Sequence, residues 1–486
     1  MGQRGIFMKK FIQCLLAISL GLVVLTGCSD KKHGLNPNNP ISITIWHYYN
    51  GKQLVAFEEM VNQFNQTKGK ELGIIATAKS KSTINNLYDE LRNAANEEVG
   101  ADEMPNIFAN YVDFALELDK MGKLVDLDQY FTKKELDTYV DSFIEEGRFD
   151  AKNSLKVFPT AKSTEVMMVN QTDWNKFAQA TGSSLEELQT LEGITECAKK
   201  YYEYTDALTP DIADDGKAFF GRDSMANYIL SGAKELGEEV FKVENGEVTI
   251  SLTKETAKKL WDNYYIPYIN GYFLSKGRFS SDDAKTGDII ALVGSSSSAS
   301  YFPSAVIDDD GNSYPIECTV MKAPYFKDGE AIAVQQGAGM SVSVSDEAHE
   351  YASAVFLKWF TQEEQNVEFS VNSSYLPVQK SANNFETITT RLQDSEVTMA
   401  PVVSDTLKVS VDQVNDYELY TSKAFDNSND ARNALEKSLS DKSKTDRQTV
   451  LDSSDKKAAV SNFDTEENFN NWYEGLLKEL NEIINK

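Results

Sequence analysis

The chain has 486 residues and carries 48 Lys and Arg against 75 Asp and Glu, a formal charge of −27 at pH 7. So acidic a protein is poorly suited to nucleic acid or to an anionic surface, and its length predicts two or more domains. The first element is a leader. Lys9 and Lys10 precede an apolar run from Phe11 to Leu25, a basic segment followed by a hydrophobic one. The run is shorter than the roughly 20 apolar residues of a membrane span. Leu25-Thr26-Gly27-Cys28 then matches a bacterial lipobox. Small residues suit a peptidase cleft, and the Cys28 thiol is the nucleophile that takes a diacylglycerol. Residues 1–27 are therefore expected to be a lipoprotein signal peptide, starting at Met1 or Met8. Cleavage would leave Cys28 as a lipidated N-terminus on the outer face of the cytoplasmic membrane. It removes Arg4, Lys9 and Lys10 and no acid, so the mature chain is more acidic still. Residues 29–40, SDKKHGLNPNNP, are polar without apolar periodicity. With Cys28 they read as a flexible tether, 28–40. No later stretch reaches the length of a second span.

The folded part starts at Ile41–Trp46, an alternating β-branched strand. Leu54, Phe57, Val61 and Phe64 recur at helical spacing, and Gly69 and Gly73 close that helix. Ile74–Ala78 is a second strand, Ile84–Ala95 a helix, 105–109 a buried strand and Val112–Met121 a helix. This β-α order predicts a parallel sheet covered by helices. Further on, 157–170 contains an extended apolar piece, Trp174–Tyr204 is mostly helical and Asp288–Val293 is a strand. Residues 305–317 read as two strands around a turn at Asp310-Gly311, and 331–344 as strand, glycine break, strand. Asp346 caps one long helix through Phe369. The remainder is polar and largely helical, with DKSKTDRQ (441–448) as a surface loop. Phe469, Trp472, Leu476 and Leu480 form a final amphipathic stripe.

Motifs for catalysis are missing. The three histidines, His33, His47 and His349, form no His-Glu-x-x-His, and there is no Gly-x-Ser-x-Gly, P-loop or Gly-x-Gly-x-x-Gly. In 211–222 Gly216 fills the sixth position of a calcium loop, but Ala213 and Arg222 stand where oxygen ligands belong. Residues 306–317 end in Glu317, but begin with Val306. Neither turn is expected to hold a metal, and no cofactor is expected. An extracytoplasmic location permits a disulfide between Cys197 and Cys318, which sequence cannot decide. Two stretches point to ligand contact. WHYYN (46–50) follows the first strand, where ligands bind in an open parallel sheet, and its aromatic faces can stack on a sugar ring. GSSSS (294–298) follows another strand and offers backbone N–H groups and hydroxyls.

Five segments in order resemble the large extracellular solute-binding family of bacterial ABC importers, which includes the maltose-binding and glycerol-3-phosphate-binding proteins. They are the lipobox, 105–131, VFPTAKSTEVMMVN (157–170), ALVGSSSSASYF (291–302), and QQGAGMSVSV (335–344) with FLKWFT (356–361) and SYLPVQ (374–379). The chain departs at Asn106, where the family usually has Asp. The resemblance implies a two-lobed α/β fold of the periplasmic-binding-protein type. Its three hinge crossings fall near Ala161–Val166, Ala333–Gly337 and Tyr375–Gln379. Lobe one would be 41–162 and 336–376, and lobe two 163–335 and 377–486. Carried over by position, the candidate contacts are Tyr48, Tyr49, Ser80, Asn110 and Tyr111 in lobe one, and Thr164 and Glu165 at the crossing. In lobe two they are Asp223, Tyr228, Ser295, Ser296 and Ser297, followed by Gln336, Gly337 and Tyr375.

The function implied is non-catalytic: a lipid-anchored monomer captures a carbohydrate in the interlobe cleft and passes it to ABC permease subunits. A polyol phosphate such as glycerol-3-phosphate is the alternative ligand, with Lys81, Lys162 and Arg222 as its nearest cations. A surface-anchored glycan hydrolase and a purely structural lipoprotein are the readings from other classes.

Overall fold

The computed structural model of the protein describes residues 33–244, 247–308, 311–393 and 399–486. The expected signal peptide 1–27, Cys28 and Asp310 lie outside the described residues. Two four-stranded sheets organise the chain. In the first, β1 (Ile41–His47) lies between β2 (Ile74–Ser80) and β3 (Ile107–Asn110), parallel to both, and the strand Gly339–Val342 adds antiparallel to β3. In the second, β4 (Glu165–Asn170) lies between Cys318–Lys322 and Ala291–Ser295, antiparallel to both, and β5 (Phe220–Arg222) runs parallel to Ala291–Ser295. Helices cover both sheets. The helix Gly51–Gln66 buries Ala56, Phe57, Met60, Val61 and Phe64, the stripe a 3.6-residue period places on one face. Phe64 meets Phe356 and Trp359 edge-on. Around the second sheet, Trp261 stacks on Tyr265 and packs against Phe469 and Trp472 of the last helix, Glu466–Ile484.

Three stretches pass side by side between the sheets. Lys162 pairs with Leu376, and Ser163 with Gln336, as isolated antiparallel bridges. At the middle stretch Gly337 has φ of 99°, and a Cβ there would stand 2.8 Å from Ala161 O. Left-handed backbone and close approach together require glycine. Gly337→Ala is expected to cost about 1–3 kcal/mol, read as a lower urea midpoint at unchanged m-value. An unchanged midpoint would mean the crossing yields freely.

Several local expectations need correction. The helix from Asp346 is two helices, Glu347–Phe360 and Glu363–Ser373. The first ends at Thr361, whose hydroxyl turns back to Leu357 O at 2.8 Å. Asp346 does cap it, accepting from Ala348 N and His349 N. Residues 441–448 are not a loop but the middle of the 25-residue helix Ser428–Asp452. Its inner face continues from Leu435 and Leu439 through Ser443 and Asp446 to Val450. Tyr265 donates to Asp446, so that carboxylate is accommodated inside. Residues 33–40, read as a free tether, lie on the first lobe, and Leu35 is buried in its core. Cys197 and Cys318 are both free thiols. Among the described residues, no helix is long and apolar enough to cross a membrane and no His, Cys, Asp and Glu cluster suits a metal.

Candidate functional site

A cavity of about 350 Å³ opens between the two sheets, with the crossing residues Val334, Gln335 and Gln336 at its base. From the first lobe it is lined by Tyr88, Tyr111, Asp113 and Glu146. From the second it is lined by Asn227, Phe241, Tyr420 and Phe425, and by one polar face of a helix start: Ser428, Asn429, Arg432 and Asn433. Each wall therefore presents aromatic rings beside hydrogen-bonding groups, a combination that holds a polar ligand with apolar faces.

The polar groups are held in place from behind. Gln336 donates to Ser295 Oγ at 2.9 Å and accepts from Asn227 Nδ2 at 3.2 Å. Asn227 Nδ2 also donates to Glu165 Oε1 at 2.7 Å, and Arg432 donates to Asn227 Oδ1. Behind Asn227, Arg222 and Glu165 form a buried ion pair at 2.8 Å. Burial raises the Glu165 carboxyl above its ordinary range, opposed by Arg222. On the first-lobe side, Glu146 accepts from Gln335 at 2.6 Å and pairs with Lys162, which also donates to Gly337 O at 2.8 Å. Asp113 accepts from the Ser428 hydroxyl at 2.9 Å, directly across the cavity mouth, and burial raises its carboxyl. Lys120 and Asp426 pair in an adjoining depression that Asp113 and Ser428 also line.

The expected contacts separate into distinct places. Tyr111 and Gln336 line the cavity. Tyr48, Tyr111, Tyr375 and Ser297 form a hydroxyl cluster between the lobes, in which burial raises the Tyr48 and Tyr111 phenols. Glu165 and Ser295 stand one shell behind, against Asn227 and Gln336. The remainder do not line the cavity. Tyr49 packs among Phe57, Phe369 and Tyr375, and Ser80 donates to its carbonyl at 2.8 Å. Asn110 bonds Ser341 at 3.1 Å inside the first sheet. Thr164 accepts from Gln413, and Ser296 Oγ accepts from Thr164 N. Asp223 accepts from Ser280 N at 2.7 Å at the start of the helix Ser280–Thr286. Tyr228 donates to Leu260 O at 2.8 Å from within the core. Gly337 serves the crossing. His47 is wholly buried against Phe57, and burial lowers its imidazole to about 4. Asn106 accepts from Thr44 N at 2.9 Å, a bond within the first lobe that an amide carries as well as a carboxylate.

The sequence model described as bacterial extracellular solute-binding protein matches residues 59–400. The chain belongs to this family. Membership places the folded part of this solute-binding protein outside the cytoplasm. A search of curated proteins finds no match. Among solved structures, it is similar to the cyclic α-maltosyl-1,6-maltose binding protein of Arthrobacter globiformis. The TM-score is 0.67 at 18% identity, over 92% of this chain and 99% of that one. UgpB of Mycobacterium tuberculosis, in complex with glycerophosphocholine, gives 0.64 at 17%, over 91% and 100%. An ABC substrate-binding protein of Listeria monocytogenes, in complex with cycloalternan, gives 0.61 at 18%, over 90% and 99%. These likenesses establish the two-lobed fold with its three crossings.

Sequence reasoning missed most of the second wall of this solute-binding protein. The residues 428–433 lie beyond the matched segment, in a region read only as polar helix. A signal was present: Ser428, Asn429, Arg432 and Asn433 recur at i, i+1, i+4 and i+5, one face of a helix start.

Proposed function

We propose that the protein captures a carbohydrate, a mono- or oligosaccharide, in the cavity between its lobes and delivers it to the permease of an ABC importer. It does so as a monomer held to the outer face of the cytoplasmic membrane by lipid on Cys28. Lobe one comprises 41–162 and 336–376, and lobe two 163–335 and 377–486. The supporting observation is the cavity itself: about 350 Å³, with Tyr88 and Tyr111 on one wall facing Tyr420 and Phe425 on the other. Rings can stack on sugar faces, while Asp113, Asn227, Gln336 and Arg432 supply hydroxyl partners. Two of the structural relatives bear the names of glucose oligomers as ligands, which agrees with this reading. Closure is a hinge motion favoured by any ligand that touches both walls.

The test is a thermal-shift panel of mono- and oligosaccharides, polyols and glycerol-3-phosphate. A ligand at about 100 times its Kd adds roughly 2.7 kcal/mol. No shift with any sugar would sink the carbohydrate reading. Arg432→Gln is expected to weaken the ligand found by roughly 10–100-fold, the value of a hydrogen bond to a charged group. Unchanged affinity, measured by calorimetry, would remove Arg432 from the site.

One observation favours a polyol phosphate as the second reading. Lys81, Lys162 and Arg222 are each paired with a carboxylate, Glu90, Glu146 and Glu165. Arg432 lines the cavity and forms no ion pair among the described residues, so it is the cation available to an anion. Affinity for glycerol-3-phosphate that falls steeply with salt would support that reading.

A further inference from the structure

Residues 33–40 have the composition of a linker but the contacts of a folded segment. Leu35 is 5% exposed within the lobe-one core. The His33 ring stacks on Tyr351 with centroids 3.9 Å apart, and its Nδ1 hydrogen-bonds Glu347 Oε1 at 2.9 Å. Asn36 turns the chain: its carbonyl accepts from Asn39 N at 2.9 Å, and its side chain from Asn38 N at 3.0 Å. The segment then runs over Gly73, where a Cβ would stand 2.3 Å from Asn36 O. Ile41 N donates to Gly73 O at 2.9 Å and leads into β1. Gly73 follows the helix Lys68–Leu72, and Glu347 and Tyr351 lie on the helix Glu347–Phe360. All of these elements surround the first sheet.

The covalent chain converts this docking into an orientation. Ser29, Asp30, Lys31 and Lys32 alone separate Cys28 from His33. At about 3.3–3.6 Å per residue that span reaches at most roughly 18 Å, against about 40 Å for a free segment from 28 to 40. We propose that residues 33–40 are a docked strap that holds lobe one close against the lipid surface and leaves lobe two as the moving half. The proposal rests on the lipid-anchored reading above. The hinge crossings lie beyond the strap, so closure swings lobe two relative to the bilayer while the Lys68–Leu72 and Glu347–Phe360 face stays near it.

The test uses the lipidated full-length protein on vesicles of phosphatidylcholine and phosphatidylglycerol that carry a rhodamine headgroup acceptor. A donor dye is placed at Lys70→Cys on lobe one or Lys478→Cys on lobe two, both exposed positions, with Cys197 and Cys318 replaced. Energy transfer is expected to be higher from position 70 than from 478. Leu35→Asp is expected to abolish that difference while the protein still floats with the vesicles. Equal transfer from the two sites of otherwise unchanged protein overturns the strap and leaves the anchor standing. Protein that fails to float overturns the anchored reading and the proposal with it. Hydrogen exchange on the unlabelled protein gives a separate measure: protected amides at Asn39 and Ile41 support docking, and exchange at the rate of a free peptide overturns it.

Discussion

Arg222→Met is expected to lower the unfolding free energy by about 3–5 kcal/mol, the range for removing one partner of a buried ion pair. Arg222 and Glu165 side chains are each 5% exposed and meet at 2.8 Å. The loss arises less from the attraction removed than from the carboxylate left behind, with only the Asn227 amide as a partner. The loss should therefore depend on pH. Desolvation already raises the Glu165 carboxyl, and Arg222 is the first group that opposes it. Without Arg222 the folded pKa rises further. An acid whose folded pKa lies above its unfolded value contributes stability at low pH that is lost as pH rises through the folded pKa. Urea unfolding should accordingly show a smaller loss at pH 5 than at pH 8. The double variant with Glu165→Gln should recover much of the difference at pH 8, because neither charge remains. An equal loss at both pH values, with no recovery, would mean that packing of the guanidinium over Tyr228, 4.9 Å from its ring, carries the effect.

Much of the fold was legible because it is written in local patterns. β-branched alternation marked β1, helical spacing marked Gly51–Gln66, and the Asp346 cap was visible as an Asp before a helical run. The same local rules failed where tertiary contacts decide. Thr361 ends a helix by bonding its own preceding turn and Tyr139, which no spacing encodes. Asp446 sits on a buried face because Tyr265 and Lys442 satisfy it. Leu35 looked like a stray apolar residue in a linker, and only the lobe beneath it shows why it is there.

The site was read less well, for a physical reason. Family position places a residue near the cleft but does not say which way its side chain points. Tyr48 and Tyr49 are adjacent, yet one joins the interlobe hydroxyl cluster and the other the core. Glu165 was chosen as a sugar partner, but its charge is used on Arg222 and Asn227. It orients the cavity through Asn227, which reaches Gln336 and Arg432. The second wall comes from a helix more than 250 residues beyond β4's Glu165 in the chain, so no local window could have joined the two.

Glu235→Gln is expected to abolish a loss of stability that the protein suffers as pH rises from about 4.5 to 8. Glu235 is 5% exposed, and burial is the main cause that raises its carboxyl from 4.5 to about 8. Phe326 N donates to it at 3.0 Å and holds it back only in part. Its contribution is complete below pH 4.5 and falls until pH 8, on the order of 5 kcal/mol over the window. His47 has the opposite slope. Its folded value of about 4 lies below the ordinary 6.5, so its contribution is complete above pH 6.5 and is lost as pH falls towards 4, on the order of 3 kcal/mol. Between pH 4.5 and 6.5 these two slopes nearly cancel, and from 6.5 to 8 only the Glu235 slope of the pair remains. Gln keeps an acceptor for Phe326 N and carries no charge. The variant minus parent difference, in which all shared titrations drop out, should therefore be flat above pH 8 and fall steadily from pH 8 to 4.5. A difference that does not change between pH 5 and 8 would show that Glu235 titrates at its ordinary value in the folded protein. Arg222 also lowers Glu235, so in an Arg222→Met background the gain from Glu235→Gln should grow and extend to higher pH, which ties the two buried acids to one guanidinium.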